Sequence, residues 1–213
     1  MSKQRPILFS AEMVRAILEG RKTQTRRVIK PQPLEVQHKL VNQTLYKWRK
    51  KGSQLPLDTY TIDGIKKHSP YGRVGDRLYV RETWQAQNRH GQWWHEIPHD
   101  ERPLHNWAIT NPVGPAFDAT PPKWLTSIHM PKTFTRIWLE VVGVRVERLQ
   151  EISASDAVAE GIAPCVLHRG DTGEPVLAIP RFRRIWDKIN SKRGYSWDSN
   201  PFVWVVEFRR SVK

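Results

Sequence analysis

Cysteine is nearly absent from this chain. Cys165 stands alone, so an internal disulfide and a cysteine-built metal site are both excluded. Long apolar runs are missing too. None approaches the ~18 residues that a membrane-spanning helix needs. The first residues also lack the apolar stretch of a secretory leader. Acidic residues are scarce relative to basic ones, 21 against 35, which leaves a formal charge of +14. The apolar share is 38%, low beside the ~45–50% of ordinary globular chains. These shortages exclude a disulfide scaffold and a helical membrane protein. The expectation is a soluble, cytoplasmic protein with one modest core and long polar loops.

What the chain does have is positive charge and tryptophan. An excess of Lys and Arg favours a polyanionic partner, most simply RNA or DNA, because phosphate neutralisation rewards cations whatever the base sequence. Ten tryptophans is a high count for 213 residues. Some must fill the core, while Trp93-Trp94 beside His95 sit in a polar stretch. The length suits a single domain, 1–213, with two insertions, at about 30–72 and 85–131.

Along the chain, Pro6 to Phe9 reads as a short strand and Ser10 as a helix N-cap. Met13, Val14, Ile17 and Leu18 repeat at helical spacing, which predicts a helix over Ala11 to Glu19, stopped by Gly20. A strand is expected over Arg26 to Ile29. In the first insertion, Leu45 to Trp48 and Thr59 to Ile62 could each be a strand. Arg77 to Trp84 alternates as a half-buried strand. The second insertion shows little periodicity. Thr135 to Leu149 is the longest strand signal, with Gly143 marking a bulge or bend. Ser153-Ala154-Ser155-Asp156 fits a capping box in its acidic form, ahead of a short helix ended by Gly161. Phe182, Ile185, Trp186 and Ile189 predict a helix over Pro180 to Asn190, with Pro180 as its starter. Pro201 to Arg209 reads as a core strand. The pattern is α+β and favours a small mixed barrel over a doubly wound sheet.

Four segments resemble one known family. Gly20-Arg21-Lys22-Thr23-Gln24-Thr25-Arg26-Arg27 resembles the signature of ASCH domains, members of the PUA-like superfamily. Gly75 to Trp84 is similar to that family's second strand, Val144 to Ile162 to its strand-plus-helix segment, and Asn200 to Phe208 to its closing strand. As a whole the chain is most similar to the longer, tryptophan-rich ASCH proteins of phages and prophages. The resemblance implies a PUA-like mixed β-barrel of five or six strands, about three helices, and a cleft where the first helix meets the barrel. It implies binding of RNA, single-stranded nucleic acid or a modified nucleoside. Some bacterial ASCH proteins are amidohydrolases acting on N4-acetylcytidine, and a ribonuclease activity is also attributed to the family. Their catalytic Lys, Thr and Glu match Lys22, Thr25 and Glu160 here. A phage-encoded protein that contacts a host factor is a further reading.

The residues carry their own argument. Thr25 could act as a nucleophile only with an adjacent base. Lys22 could be that base if burial and Arg21, Arg26 and Arg27 disfavour its charged form. Glu160 could orient it. Positions 22 and 25 share a face only in a turn-like segment. The plain structural alternative is a Lys22–Glu160 ion pair with Thr25 in a strand. Arg21, Arg26, Arg27, Arg73, Arg77 and Arg81 are candidate phosphate contacts, and Trp84 a candidate stacking ring. Trp138 and Trp204 read as core. His90, His95, His99 and His105 cluster, but Pro98 interrupts helical spacing, so no metal and no cofactor is expected.

Overall fold

The computed structural model describes residues 2–37, 44–49, 58–89, 92–96, 109–110, 125–163 and 177–211. Cys165, His90, His99 and His105 lie outside them. Eleven strands and four α-helices lie among the described residues. The strands are β1 (Gln4–Leu8), β2 (Gln24–Val28), β3 (Leu34–Gln37), β4 (Thr44–Trp48), β5 (Asp58–Tyr60), β6 (Arg77–Arg81), β7 (Gln85–Arg89), β8 (Gln92–Glu96), β9 (Ile109–Thr110), β10 (Trp138–Arg148) and β11 (Phe202–Ser211). The helices are α1 (Ala11–Leu18), α2 (Ile62–Lys66), α3 (Ala154–Ala159) and α4 (Ala178–Asn190).

The central sheet has five strands in the order β1-β6-β10-β11-β2. β1 pairs with β6 in parallel, and the other neighbours are antiparallel. Two three-stranded sheets, β3-β4-β5 and β7-β8-β9, lie within the two stretches expected as insertions. The fold is mixed α+β, as the pattern predicted. The expected barrel is not closed among the described residues, because no strand pairing joins the edge strands β1 and β2. Between them in sequence lies α1, whose buried residues Val14 and Ile17 join the same core cluster as Ile7 and Val206. A side chain also crosses from one edge to the other, where Arg27 Nη2 donates to the Leu8 carbonyl at 2.5 Å.

Each face of the sheet carries its own core. Trp204, Val206, Val144 and Val146 face α1, α2 and β4 through Val14, Ile65 and Trp48. Val203 and Val205 point the other way, onto Ala157 of α3 and Phe182 and Trp186 of α4. This two-sided burial explains why β11 reads as an unbroken apolar run: Phe202 to Val206 are all buried.

Several local signals are realised. Ser153 Oγ accepts from the Asp156 N–H at 3.1 Å and starts α3. Ser10 occupies the N-cap of α1, but its side chain makes no capping bond. The register of β10 against β11 slips between Val141 and Gly143, where the sequence places a bend. β2 begins two residues earlier than the apolar pattern suggests, because Gln24 and Thr25 are already paired to Glu207 and Val206. Pro180 falls inside the first turn of α4, not at its start.

Candidate functional site

The cationic stretch is fixed by three separate backbone contacts. α1 ends as the Glu19 N–H donates to the Arg15 carbonyl at 2.9 Å, and Gly20 turns the chain at a φ of 76°. Lys22 N–H then donates to the Ala16 carbonyl at 3.0 Å, Thr23 N–H to Ala159 at 2.8 Å, and Phe208 N–H to Thr23 at 2.8 Å. Lys22 also forms an isolated antiparallel bridge with Glu160. The turn is thereby held between the ends of α1 and α3 and the strand β11. Gly161 makes the closeness possible. Its φ is 93°, and a Cβ there would lie 3.0 Å from Ala16 Cβ and 3.1 Å from Lys22 Cβ.

Lys22 and Glu160 meet in the interior. Lys22 Nζ donates to Glu160 Oε2 at 2.8 Å, to the Glu160 carbonyl at 2.7 Å and to the Gln24 carbonyl at 2.9 Å. An ammonium has three N–H donors, and all three are used. Burial pushes the Lys22 pKa below the usual lysine range; Glu160 opposes this, while Arg27 and Arg26 add to it.

β2 divides its side chains between the two faces of the sheet. Gln24, Arg26 and Val28 lie opposite Glu207, Val205 and Val203, and so point toward the α3 side. There Arg26 donates to Glu147 Oε1 from Nε at 3.0 Å and from Nη2 at 2.5 Å, to Asp156 Oδ2 at 2.8 Å and to Glu160 Oε1 at 3.4 Å. Arg145 bonds Glu147, Asp156 and Glu207. Gln24 Nε2 donates to Asp156 Oδ1 at 2.8 Å. Asp156 resists partial burial because the Gln24 bond and the charges of Arg26 and Arg145 hold its pKa down to about 2. The result is a network of two arginines and four carboxylates around one patch of sheet.

Thr25 and Arg27 lie opposite Val206 and Trp204, on the other face. The Arg27 guanidinium carbon lies 5.3 Å from the Phe9 ring centroid, and Lys22 Nζ lies 5.6 Å from the same centroid. Arg27 Nε is buried with no hydrogen-bond partner. Among the described residues Arg27 pairs with no carboxylate. Tyr71 stands near it: burial raises the Tyr71 pKa, and the charge of Arg27 opposes that.

The structure thus joins Lys22 and Glu160 as an ion pair, the plain structural alternative that the sequence left open. Thr25 is buried on the adjoining strand, and among the described residues no hydrogen bond links its hydroxyl to Lys22 or Glu160. Arg26, a candidate phosphate contact by sequence, is instead buried at 4% exposure. Its carboxylate partners are 121 to 134 residues distant in the chain, and they withdraw it from solvent. Arg21 is exposed, pairs with Glu19 and donates to the Gly161 carbonyl at 3.0 Å. Arg77, Arg81 and Trp84 belong to β6 and its exit; Arg81 is the register partner of Leu8, whose carbonyl Arg27 contacts across the gap between the edge strands. Arg77 stacks over Trp138 at 4.8 Å, and Arg81 over Tyr79 at 5.6 Å with a bond to the Ile128 carbonyl. Trp84 is buried beside Phe134. Arg73 is exposed in the turn before β6.

Sequence reasoning missed Phe9, Tyr71, Gln24, Arg145, Glu147 and Asp156. Two signals were available. Arg145 and Glu147 are two apart on a strand and so share a face, and Asp156 is the acidic member of the capping box.

No family model matches the chain, and no curated protein matches it. Among solved structures it is similar to the crystal structure of protein EF3133 from Enterococcus faecalis V583, described as family-model DUF984. The match has 9% identity and a TM-score of 0.41, and it covers 99% of this chain and 80% of the other.

Proposed function

We propose that the protein is an ASCH-type, PUA-like module that binds RNA or a modified nucleotide beside Phe9, Thr25 and Arg27. One observation carries this reading. Arg27 is half-buried, its Nε is buried without a partner, and no described carboxylate neutralises its guanidinium. A buried, unpaired N–H is costly, and an acceptor oxygen of a ligand removes the cost. The formal charge of +14 favours a phosphate-bearing ligand. The aromatic ring of Phe9 under the guanidinium supports a site that accepts a planar group as well as an anion. Titration of labelled single-stranded RNA at two salt concentrations tests it. Binding should weaken with salt and weaken further in Arg27→Ala. Binding that ignores both would remove the reading.

The Lys22–Glu160 contact favours a second reading, hydrolysis of an N4-acylcytidine. Thr25 Oγ1 would attack the acyl carbon, and Lys22 would take its proton and return it to the departing cytosine amine; a water deprotonated by Lys22 would then cleave the acyl-threonine ester, releasing the carboxylate and restoring the Thr25 hydroxyl. This requires a neutral Lys22, which burial promotes, and the release of one of its three hydrogen bonds to reach Thr25. Incubation with N4-acetylcytidine and detection of cytidine tests it. Release should vanish in Thr25→Ala and Lys22→Ala; release that survives Lys22→Ala excludes this assignment.

A further inference from the structure

A second set of unneutralised cations surrounds a cavity away from Arg27, near the other end of β1. The cavity has a volume of about 590 Å³, and Lys3, Arg5, Lys67 and Arg73 line it with a single carboxylate, Asp76. Asp76 is committed to the backbone. Its Oδ1 accepts from the Lys3 N–H at 2.8 Å and its Oδ2 from the Arg73 N–H at 3.1 Å. Desolvation works against its charge, but these two bonds and the charges of Arg5 and Lys3 hold its pKa below the ordinary value. Asp76 thus pins the start of β1 to the turn before β6 and leaves the cationic heads without an ion-pair partner among the described residues.

The frame around the cavity is rigid where it matters. Arg77 N–H donates to the Lys3 carbonyl at 2.9 Å, while Gly75 N–H donates to the Val141 carbonyl and Val141 N–H to the Asp76 carbonyl, both at 2.9 Å. His68 at the wall is held by ring contacts with Trp48 at 5.7 Å and Tyr60 at 5.5 Å. Within this frame Arg5 Nε is buried and has no hydrogen-bond partner. A roomy cavity, four cations against one committed carboxylate, and an orphaned guanidinium N–H all require the same complement: a compact, multiply charged anion with several acceptor oxygens.

We propose that this cavity is a phosphate-binding site, with Arg5 and Arg73 as its principal ligands and Lys3 and Lys67 as its outer charges. It is independent of the Arg27 site. The two lie toward opposite ends of β1, since Arg27 contacts the carbonyl of Leu8, the last residue of β1, and Arg5 is the second residue of the strand. The phosphate could belong to a free anion or to a nucleic-acid backbone, and the chemistry at Arg5 is the same for both.

The test is amide-resolved NMR titration of the full chain at low salt with inorganic phosphate, with cytidine 5′-monophosphate and with a single-stranded oligonucleotide, in wild type, Arg5→Gln, Arg73→Gln and Arg27→Ala. The expected result is movement of the Lys3, Gly72 and Arg73 amides, at least about tenfold weaker binding in Arg5→Gln and Arg73→Gln, as fits a lost charge-assisted bond, and little change in Arg27→Ala. Arg73 is exposed, so its variant keeps the test valid if Arg5→Gln does not fold. Movement by all three probes assigns a free phosphate group as sufficient; movement by the oligonucleotide alone, lost in the same variants, assigns the backbone phosphate. If no probe moves these amides, or if the movement persists in both glutamine variants, the proposal is overturned. Loss of RNA binding in Arg27→Ala with these amides still responding separates this site from the Arg27 reading.

Discussion

Lys22 shows at the scale of one residue why a basic motif does not define an exposed basic surface. It is 2% exposed, with its three donors spent on one residue's carboxylate and carbonyl and on Gln24. Removing one partner of a buried pair costs about 3–5 kcal/mol, because the other charge stays behind undischarged. Arg26 still faces Glu160 at 3.4 Å, so Lys22→Met should cost about 3 kcal/mol, at the low end of that range. Adding Glu160→Gln should restore most of the loss, and urea unfolding of the single and double variants measures both. Failure of the second change to recover stability would mean that the pair is not the source. Asp156 supplies a pH counterpart. Its folded pKa of about 2 lies below the ordinary 3.8, so its stabilisation is present above pH ~4 and is lost as pH falls toward 2. Asp156→Asn should flatten that acid limb of the unfolding curve.

At the scale of elements, the two glycines that bracket the site do different work. Both have positive φ, 76° at Gly20 and 93° at Gly161, but only Gly161 has atoms where a Cβ would go. Gly20→Ala should therefore cost the conformational term alone, about 1 kcal/mol. Gly161→Ala adds contact with Ala16 and Lys22 and should cost about 2–3 kcal/mol. Thermal unfolding should rank the two in that order; an equal loss would show that Ala16 and Lys22 give way to the added methyl group without cost. These glycines, the helix α1, the Ser153 cap and the bend at Gly143 were legible because each is written in a few consecutive residues. The position of Arg26 was not. Its neighbours in sequence are cations, and its neighbours in space, Glu147, Asp156 and Glu160, arrive from β10 and α3. The pairing of Lys22 with Glu160 came from the family resemblance, since no local pattern links residues 138 apart. Closure of the sheet was equally out of reach. Strand periodicity gives faces, whereas closure depends on what fills the gap between the edges, and here α1 follows β1 and leads to β2.

For the whole molecule, the formal charge of +14 is the excess of 35 cations over 21 carboxylates, and the cations are of two kinds. Arg26 and Arg145 are neutralised by Glu147, Asp156, Glu160 and Glu207. Arg27, Arg5 and Arg73 have no carboxylate ion pair among the described residues. Overall charge attracts a polyanion from a distance, but only the second kind can form contacts that displace counterions. Two variants separate these contributions. Arg145→Ala and Arg27→Ala remove the same unit of charge. If RNA responds only to net charge, the two should alter its salt dependence alike. If it is bound at the guanidinium beside Phe9, Arg27→Ala should lower the slope of log K against log salt by about 1, and Arg145→Ala should leave the slope unchanged while lowering stability. Fluorescence titrations from low to moderate salt, paired with unfolding curves, read both quantities. Equal slopes in the two variants would count against a local site at Arg27 and would leave the charge of the molecule as the whole of its affinity.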